Sequence, residues 1–593
     1  MSESSGVKPG PEPADRVVIG ITFGNSNSSI AFTVDDKAEV IANEDGGLYS
    51  APWEALSGCD LKFEGGANSY RQIPTVLSYV DGEEYYGAQA KAFLVRNPSN
   101  TVAYFRDFLG KEFKSIDPTH CHAAAHPQDN GGNVFFSVKD KDGESDASSV
   151  AVSEASIRFM RRLVTSASDY LGKTVTSAVI TVPTNFNDKQ REALIKASND
   201  AGLEVLQLVA DPVAAVLAYD ARPEAVVEDK IVVVADLGGT RSDVAVVASR
   251  GGMYTILATA HDYEFAGVQL DQVLMDHFAK EFIKKHSTDP RSNAKSLAKL
   301  RQESEATKKA LSLGTNAQFS VESLADGYDF SSTINRLRYE MVGRKVFEGF
   351  NRLVEGVIKK AGLDVLDINE VIMCGGTSHT PRIANNLRTI FPETTKILAP
   401  ATSATAINPS EAQVRGAALQ ASLIQEYEAN DIEQSTHPAV TTVKHISNAI
   451  GVVTTNAEGA EVFTPIMQAE TAAPARRTVQ IPAPKQGGDV LIKVVEGGTH
   501  IKVTKPEPKA KEPVENGDKE SDDDSDIDSD DEEEEKREKI WKLGKQLAEA
   551  AIKGVKKGGK VEVTINVAAD LAVTVTAREV GGKGGIRGTL AAP

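Results

Sequence analysis

The sequence predicts an α/β protein in which one unit is duplicated, followed by a strand-rich C-terminal region. Three observations carry this. "IGITFGNSNSSIAF" (residues 19–32) reads as strand, tight Gly-polar turn, strand, and "VVVADLGGTRSDVAV" (232–246) repeats it. Strand-like and helix-like segments alternate from about 17 to 425, the pattern of sheets covered by helices. After 425 the alternation stops and short strand-like runs follow.

The elements follow in order. Residues 1–16, "MSESSGVKPGPEPADR", form a Pro/Gly/Glu tail read as disordered, with no apolar core to make a signal peptide. In the first repeat the apolar residues are β-branched or aromatic, and Gly24, Asn25 and Ser26 supply the turn. Small hydroxyl and amide residues there let backbone N–H groups approach a phosphate. Aligning Gly24 with Gly238 sets Thr22 against Asp236 and Ala31 against Ala245, which points to a duplicated domain. Such a turn also closes hairpins that bind nothing, and it is the pair that favours a site.

Farther along, "SAVITVP" (177–183) is a buried strand, and "NDKQREALIKASNDAGL" (187–203) is a helix capped by Asn187 or Asp188 and ended by Gly202. "ADPVAAVLAYD" (210–220) begins a helix with Pro212 in its first turn. "EVIMCGGTSHTPRIANNL" (370–387) is strand, Gly-Gly turn, helix. Residues 426–445 are polar and read as a linker, 446–505 as short strands, and 506–538 as an acidic disordered insertion. In 539–593 an amphipathic helix is expected over 539–553, with Ile540, Leu543, Leu547, Ala551 and Ile552 on one face. A β-hairpin follows over 560–580, turning near Ala569 and Asp570.

Composition sets few limits. Across 593 residues, 41% are hydrophobic and 25% charged, ordinary for a globular chain. The net charge of −19 is uneven: "ESDDDSDIDSDDEEEE" (520–535) carries twelve acids and no base, and the remainder carries −7. Ser521, Ser525 and Ser529 are each followed by acids, as acidophilic kinases prefer; the plainer reading is a solubilising linker. Cys59, Cys121 and Cys374 form no CxxC, which fits a reducing compartment. No apolar run reaches the ~20 residues of a membrane helix; with the absent signal peptide and scattered cysteines this leads to the expectation of a cytoplasmic protein without membrane contact, and no direct DNA partner is expected. "HCHAAAH" offers His120, Cys121, His122 and His126, but structural zinc sites draw ligand pairs from separated elements, and this stretch reads as a surface loop.

Taken together, the two turns, "VITVPTNFNDKQREA" (179–193), "CGGTSHTPRI" (374–383) and "INPSEAQVRGAALQASL" (407–423) resemble the seventy-kilodalton heat-shock chaperones, within the actin and sugar-kinase ATPase superfamily. The resemblance is strong over about 17–425 and faint beyond. It implies a two-lobed actin-like ATPase domain of duplicated ribonuclease-H-like lobes, with ATP at the bottom of the cleft. A truncated β-sandwich-like domain without a helical lid would follow. "LRQESEATKKALS" (300–312) resembles the adenine-clamping helix, which assigns Glu305, Lys308, Lys309 and Ser312 to the nucleotide; unassisted, such a face reads as solvated Glu/Lys. Gly375, Gly376 and Thr377 match the adenosine turn. Gly24, Asn25, Ser26, Asp236, Gly238, Gly239, Thr240 and Arg241 match the phosphate turns. Asp236 is the residue expected near Mg²⁺, through water.

The catalytic side departs from the family pattern. Thr22 replaces an Asp beside the Mg²⁺ hydration shell, Arg106 a Lys that reaches the γ-phosphate and attacking water, and Asp211 a Glu. Thr240-Arg241 stands where the family has Gly-Thr, while Asp236 and Asp243 remain. Losing one charge-assisted contact is worth ~1.5–3 kcal/mol, roughly ten- to a hundredfold in rate. Arg in place of Lys turns a point donor into a planar fork. Arg241 adds a cation suited to clamping a phosphate. ATP bound but little hydrolysed is the expectation.

Within the family the resemblance is to the atypical, lidless members of the fungal ribosome-associated complex. It implies a stable partnership with a zuotin-like J-domain protein, ribosome association through that partner, and folding of nascent polypeptide by a second chaperone. A working ATP-driven peptide chaperone is the alternative. A sugar kinase fits poorly, because no base for an acceptor hydroxyl is evident.

Overall fold

Each repeat becomes the centre of a sheet. The computed structural model describes residues 16–41, 71–119, 121, 124–140, 147–226, 228–436, 443–455, 460–484, 486–504, 536–582 and 585–591. The chain divides into two units, Met1–Thr441 and Thr442–Pro593.

In the first unit one sheet runs Glu204–Ala210, Ser177–Val182, Val18–Phe23, Asn27–Val34, Lys37–Val40. A second sheet runs Lys396–Leu398, Glu370–Cys374, Lys230–Leu237, Ser242–Arg250, Met253–Asp262. In both, the central strand pairs antiparallel with its hairpin partner and parallel with a strand that arrives much later in the chain. The registers coincide: Gly20 faces Ala31 and Thr22 faces Ser29, while Val234 faces Ala245 and Asp236 faces Asp243. The alignment of Thr22 with Asp236 is therefore structural as well as sequential.

Each sheet has its own core, one around Phe23, Phe105 and Phe159, the other around Phe278, Phe319 and Phe350. The lobes meet where helix Asp211–Asp220 crosses helix Ala412–Ile424. A Cβ on Gly416 would lie 1.8 Å from the Ala214 carbonyl oxygen, and one on Gly20 2.3 Å from the Ala418 nitrogen. Only glycine lets the backbones approach this closely. Helix Asp188–Asp200 begins with a capping box of Asn187 and Gln190, and Gly202 follows it at φ +89°. The linker stretch differs from expectation: Ala429–Thr436 is helical, with Ile432 buried.

The second unit holds two four-stranded sheets. One runs Glu461–Met467, Ala449–Thr455, Gly488–Thr504, Lys536–Val555; the other runs Ala475–Pro482, Lys560–Val567, Val573–Glu579, Gly585–Leu590. Val452, Ile492, Val494, Val561, Val563 and Ile565 form the core between them. The hairpin at 560–580 forms as expected, with Val561 facing Glu579 and Val567 facing Val573. The helix expected over 539–553 does not form. Lys536–Val555 is a strand paired along Gly488–Thr504. The register shifts between Val494 and Val495 and between Val495 and Gly497. Each bulge breaks the two-residue alternation, so the apolar positions fall three or four apart and imitate a helix. Leu547 and Ile552 pack on the core, whereas Ile540 and Leu543 are exposed. The acidic run with Ser521, Ser525 and Ser529 lies outside the described residues, as do Cys59, His120 and His122.

Candidate functional site

The strand-and-turn repeats point their turns at one cavity in the first unit. It is lined by Thr22, Gly24, Asn25 and Ser26 from one lobe and Asp236, Gly238, Gly239, Thr240, Arg241 and Asp243 from the other. Arg106, Asp107, Asp211, Gly375, Gly376 and Gln413 also line it. The turns interlock across the cleft: Asn25 Nδ2 donates to Thr240 Oγ1 at 3.1 Å, and a Cβ on Gly239 would lie 2.5 Å from Ser26 Oγ. Asn25 Oδ1 accepts the Asp107 backbone N–H at 3.3 Å. Within the second turn the Gly238 N–H closes onto the Arg241 carbonyl at 2.9 Å, and the Gly375 N–H is held by the Pro409 carbonyl at 2.9 Å.

At the end of the first strand Thr22 carries no charge, and its hydroxyl accepts from Thr181 Oγ1 at 3.1 Å. Its counterpart Asp236 accepts from Gln413 Nε2 at 2.8 Å. Desolvation, with Asp211 and Asp243 nearby, pushes Asp236 up to about 7. Burial likewise raises Asp211 to about 6, against the pull of Arg106. Asp243 is bound twice by the protein itself: Arg241 Nε donates to Oδ2 at 2.6 Å, and His261 Nδ1 bonds Oδ1. Asp243 and His261 are cross-strand neighbours in register.

Arg106 and Arg241 are both buried. Arg241 also reaches across the cleft to Asn185 Oδ1 at 3.4 Å and Asp107 at 3.8 Å, with its guanidinium 5.8 Å over the Tyr263 ring. Arg106 lies in a short 3₁₀ turn after Tyr104, whose φ of +59° is unusual for an aromatic residue. Arg301 of the opposite lobe stacks 5.4 Å from the Tyr104 ring.

The segment 300–312 lies within a helix, Ala294–Leu313. Glu305 takes Lys91 of the other lobe at 2.7 Å and Lys309 at 2.9 Å. Desolvation opposes its charge, yet Lys91, Lys309 and Lys308 outweigh that and hold it well below the usual carboxylate range. Lys308 bonds the Gly267 carbonyl at 3.0 Å and Asp271 at 2.8 Å. Thr377 Oγ1 donates to the Gly238 carbonyl at 2.9 Å, and Ser312 Oγ turns back onto the Lys308 carbonyl at 3.2 Å. Glu305, Lys308, Lys309, Ser312 and Thr377 therefore frame the site and do not line the phosphate cavity.

Asp107, Gln413 and His261 were not singled out from the sequence. Asp107 adjoins Arg106, and Gln413 stands in the second connecting segment; only His261 needed the strand register to be found. Cys121 is buried, with its thiol pushed up to about 12 by burial. Among the described residues no group of three or more His, Cys, Asp and Glu side chains is placed to hold a metal ion. No helix there is long and apolar enough to cross a membrane.

Two lobes of like topology, with facing turns over one polar cavity, define an ATPase-type nucleotide-binding fold. The chain belongs to the Hsp70 family: the Hsp70 protein family model matches residues 65–507. It is 43% identical over 582 residues to a heat shock protein 70 homolog of Schizosaccharomyces pombe, covering 97% of this chain and 96% of that protein. It is 41% identical over 574 residues to ribosome-associated complex subunit SSZ1 of Saccharomyces cerevisiae, covering 97% of this chain and 99% of that one. A heat shock 70 kDa protein 2 of Paracoccidioides lutzii is 31% identical over 485 residues, which span 81% of this chain and 67% of that protein.

The family binds ATP, generally with Mg²⁺. The cavity suits a polyphosphate. For Mg²⁺ it offers fewer open carboxylate oxygens than its acids suggest: Thr22 is neutral, both Asp243 oxygens are already bonded, and Asp236 is bonded through one.

Proposed function

We propose that this chain is an ATP-holding, Hsp70-like co-chaperone subunit. It forms a stable complex with a zuotin-like J-domain protein at cytoplasmic ribosomes and assists nascent-chain folding by another chaperone. The likeness to SSZ1 along almost the whole of both chains supports the assignment to a ribosome-associated complex.

One observation carries the mechanism: the phosphate turns are paired across the cleft, while Thr22 and Arg241 stand where hydrolysis needs a metal-side carboxylate and a small hydroxyl. Gly24, Asn25, Ser26, Gly239 and Thr240 supply backbone and hydroxyl donors to the phosphates, and Gly238 keeps the second turn tight, its N–H closing onto the Arg241 carbonyl. Gly375 and Gly376 admit the adenosine, and Lys308, Lys309, Glu305, Ser312 and Thr377 frame it. Arg106 reaches from one lobe and Arg241 from the other, so bound nucleotide joins the lobes. Phosphoryl transfer is almost entirely positioning and charge stabilisation, and this site keeps binding charge while lacking a carboxylate at position 22. ATP then serves as a structural ligand that holds one lobe arrangement.

Purification of the tagged chain from cytosol at moderate salt tests the partnership. Stoichiometric recovery of a J-domain protein together with ribosomes is expected. Recovery as a monomer that captures and releases peptides with ATP would establish the ATP-driven chaperone instead.

A further inference from the structure

We infer that the phosphates of the bound nucleotide are neutralised by two arginine side chains, Arg106 and Arg241, in place of a divalent cation. The inference rests on the nucleotide-binding reading above. Both guanidiniums line the cavity, and the residues keep only 7% and 6% of their exposure. Arg106 has two buried nitrogens, Nε and Nη1, with no hydrogen-bond partner. Its Nε lies 3.2 Å from Asp107 Oδ1, and its guanidinium sits 5.2 Å over the Phe186 ring. Nη1 thus has neither a hydrogen bond nor an ion pair, and a buried charged donor left without an acceptor is costly. An arriving phosphate oxygen satisfies it.

Arg241 is anchored from several sides by Asp243, Asn185, Asp107 and the Tyr263 face. An anchored guanidinium is a fixed cation whose planar fork matches phosphate geometry. The two stand on opposite sides of the cleft, each already ion-paired, Arg241 with Asp243 and Arg106 with Asp107, so what they bring to a phosphate is fixed donors more than net charge.

The carboxylates point the same way. Mg²⁺ sites pair one or two carboxylates with phosphates and several retained waters. Position 22 is a threonine bonded to Thr181. Asp243 gives one oxygen to Arg241 and the other to His261. Asp236 takes Gln413, and Asp211 lies under the pull of Arg106. Of these acids, Asp243 has both oxygens engaged by the protein's own side chains and Asp236 has one.

Calorimetry of ATP binding to the full chain, in excess Mg²⁺ and in EDTA, tests this. The two affinities are expected to agree within about threefold. Arg241→Gln and Arg106→Gln are each expected to bind more than about tenfold more weakly in EDTA and to recover much of that in Mg²⁺. Arg241→Lys, which keeps the charge without the fork, should fall between. A wild-type affinity that drops about a hundredfold or more in EDTA overturns the inference while the nucleotide reading stands. Absence of ATP binding in both conditions overturns that reading as well.

Discussion

The adjacent glycines of the adenosine turn should separate folding from binding. Gly375 has φ +80° and ψ 154°, a region close to glycine-only. A Cβ there would lie 2.3 Å from the Leu237 carbonyl oxygen and 2.6 Å from Asp236 Oδ1. The first neighbour is backbone of a central strand and cannot yield. Strain of about 1–3 kcal/mol adds to overpacking of about 1–3 kcal/mol, so Gly375→Ala should cost about 2–6 kcal/mol. At ~2.1 cal/mol/K per residue over a unit of about 400 residues, 3 kcal/mol is about 4 °C in Tm. Gly376 is different: its Cβ would meet only Ser410 Oγ, at 3.9 Å, while facing the cavity. Gly376→Ala should leave Tm within error and weaken ATP binding. Differential scanning calorimetry of the apo protein, paired with ATP titration, reads both. Equal loss of Tm in the two variants, or none in Gly375→Ala, would refute the argument from local geometry.

Three further outcomes are expected. Asp236 and Asp211 have folded pKa values raised to about 7 and about 6, so the native state holds protons there that the unfolded chain has released by about pH 4. Their contribution to apo stability therefore rises as pH falls from about 8 toward 5, and Asp236→Asn should flatten that part of the Tm profile. Lys91 joins Glu305 across the cleft at 2.7 Å, and Lys91→Ala should speed release of a fluorescent ATP analogue about three- to tenfold, since surface pairs are worth about 0–1 kcal/mol and half-buried ones somewhat more. Thr504 pairs with Lys536 in register, so replacing 506–535 with a short Gly-Ser turn should leave the melting of the second unit unchanged; a large drop would mean the acidic segment contributes to that fold.

The duplication was legible because backbone geometry dictates it: a strand, a glycine turn and a second strand need the same residue types wherever they recur. Thr22 could be placed opposite Asp236 before any register was known, and the register agrees. The crossing of the two helices at Gly416 was not legible, because one glycine in an Ala-rich helix gives no sign of what approaches it. The strand Lys536–Val555 was misread because bulges reset its alternation and its lysines, alanines and leucines favour a helix; pairing along Gly488–Thr504 overrides that preference. In the site, the turns and arginines were visible as motif departures. Arg241 stands two residues from Asp243 in the same turn, but the engagement of its other oxygen by His261 depends on a neighbouring strand whose register the sequence does not mark. The helix that carries Glu305, Lys308 and Lys309 was legible, but its ion pairs across the cleft and along the helix were not.

The most direct test of ATP as a held ligand is a single-turnover experiment on the purified full chain. Radiolabelled ATP is bound, excess nucleotide is removed, and intact ATP is followed over hours with and without peptide. ATP should remain bound and uncleaved under both conditions. Cleavage within minutes, accelerated by peptide, would contradict it.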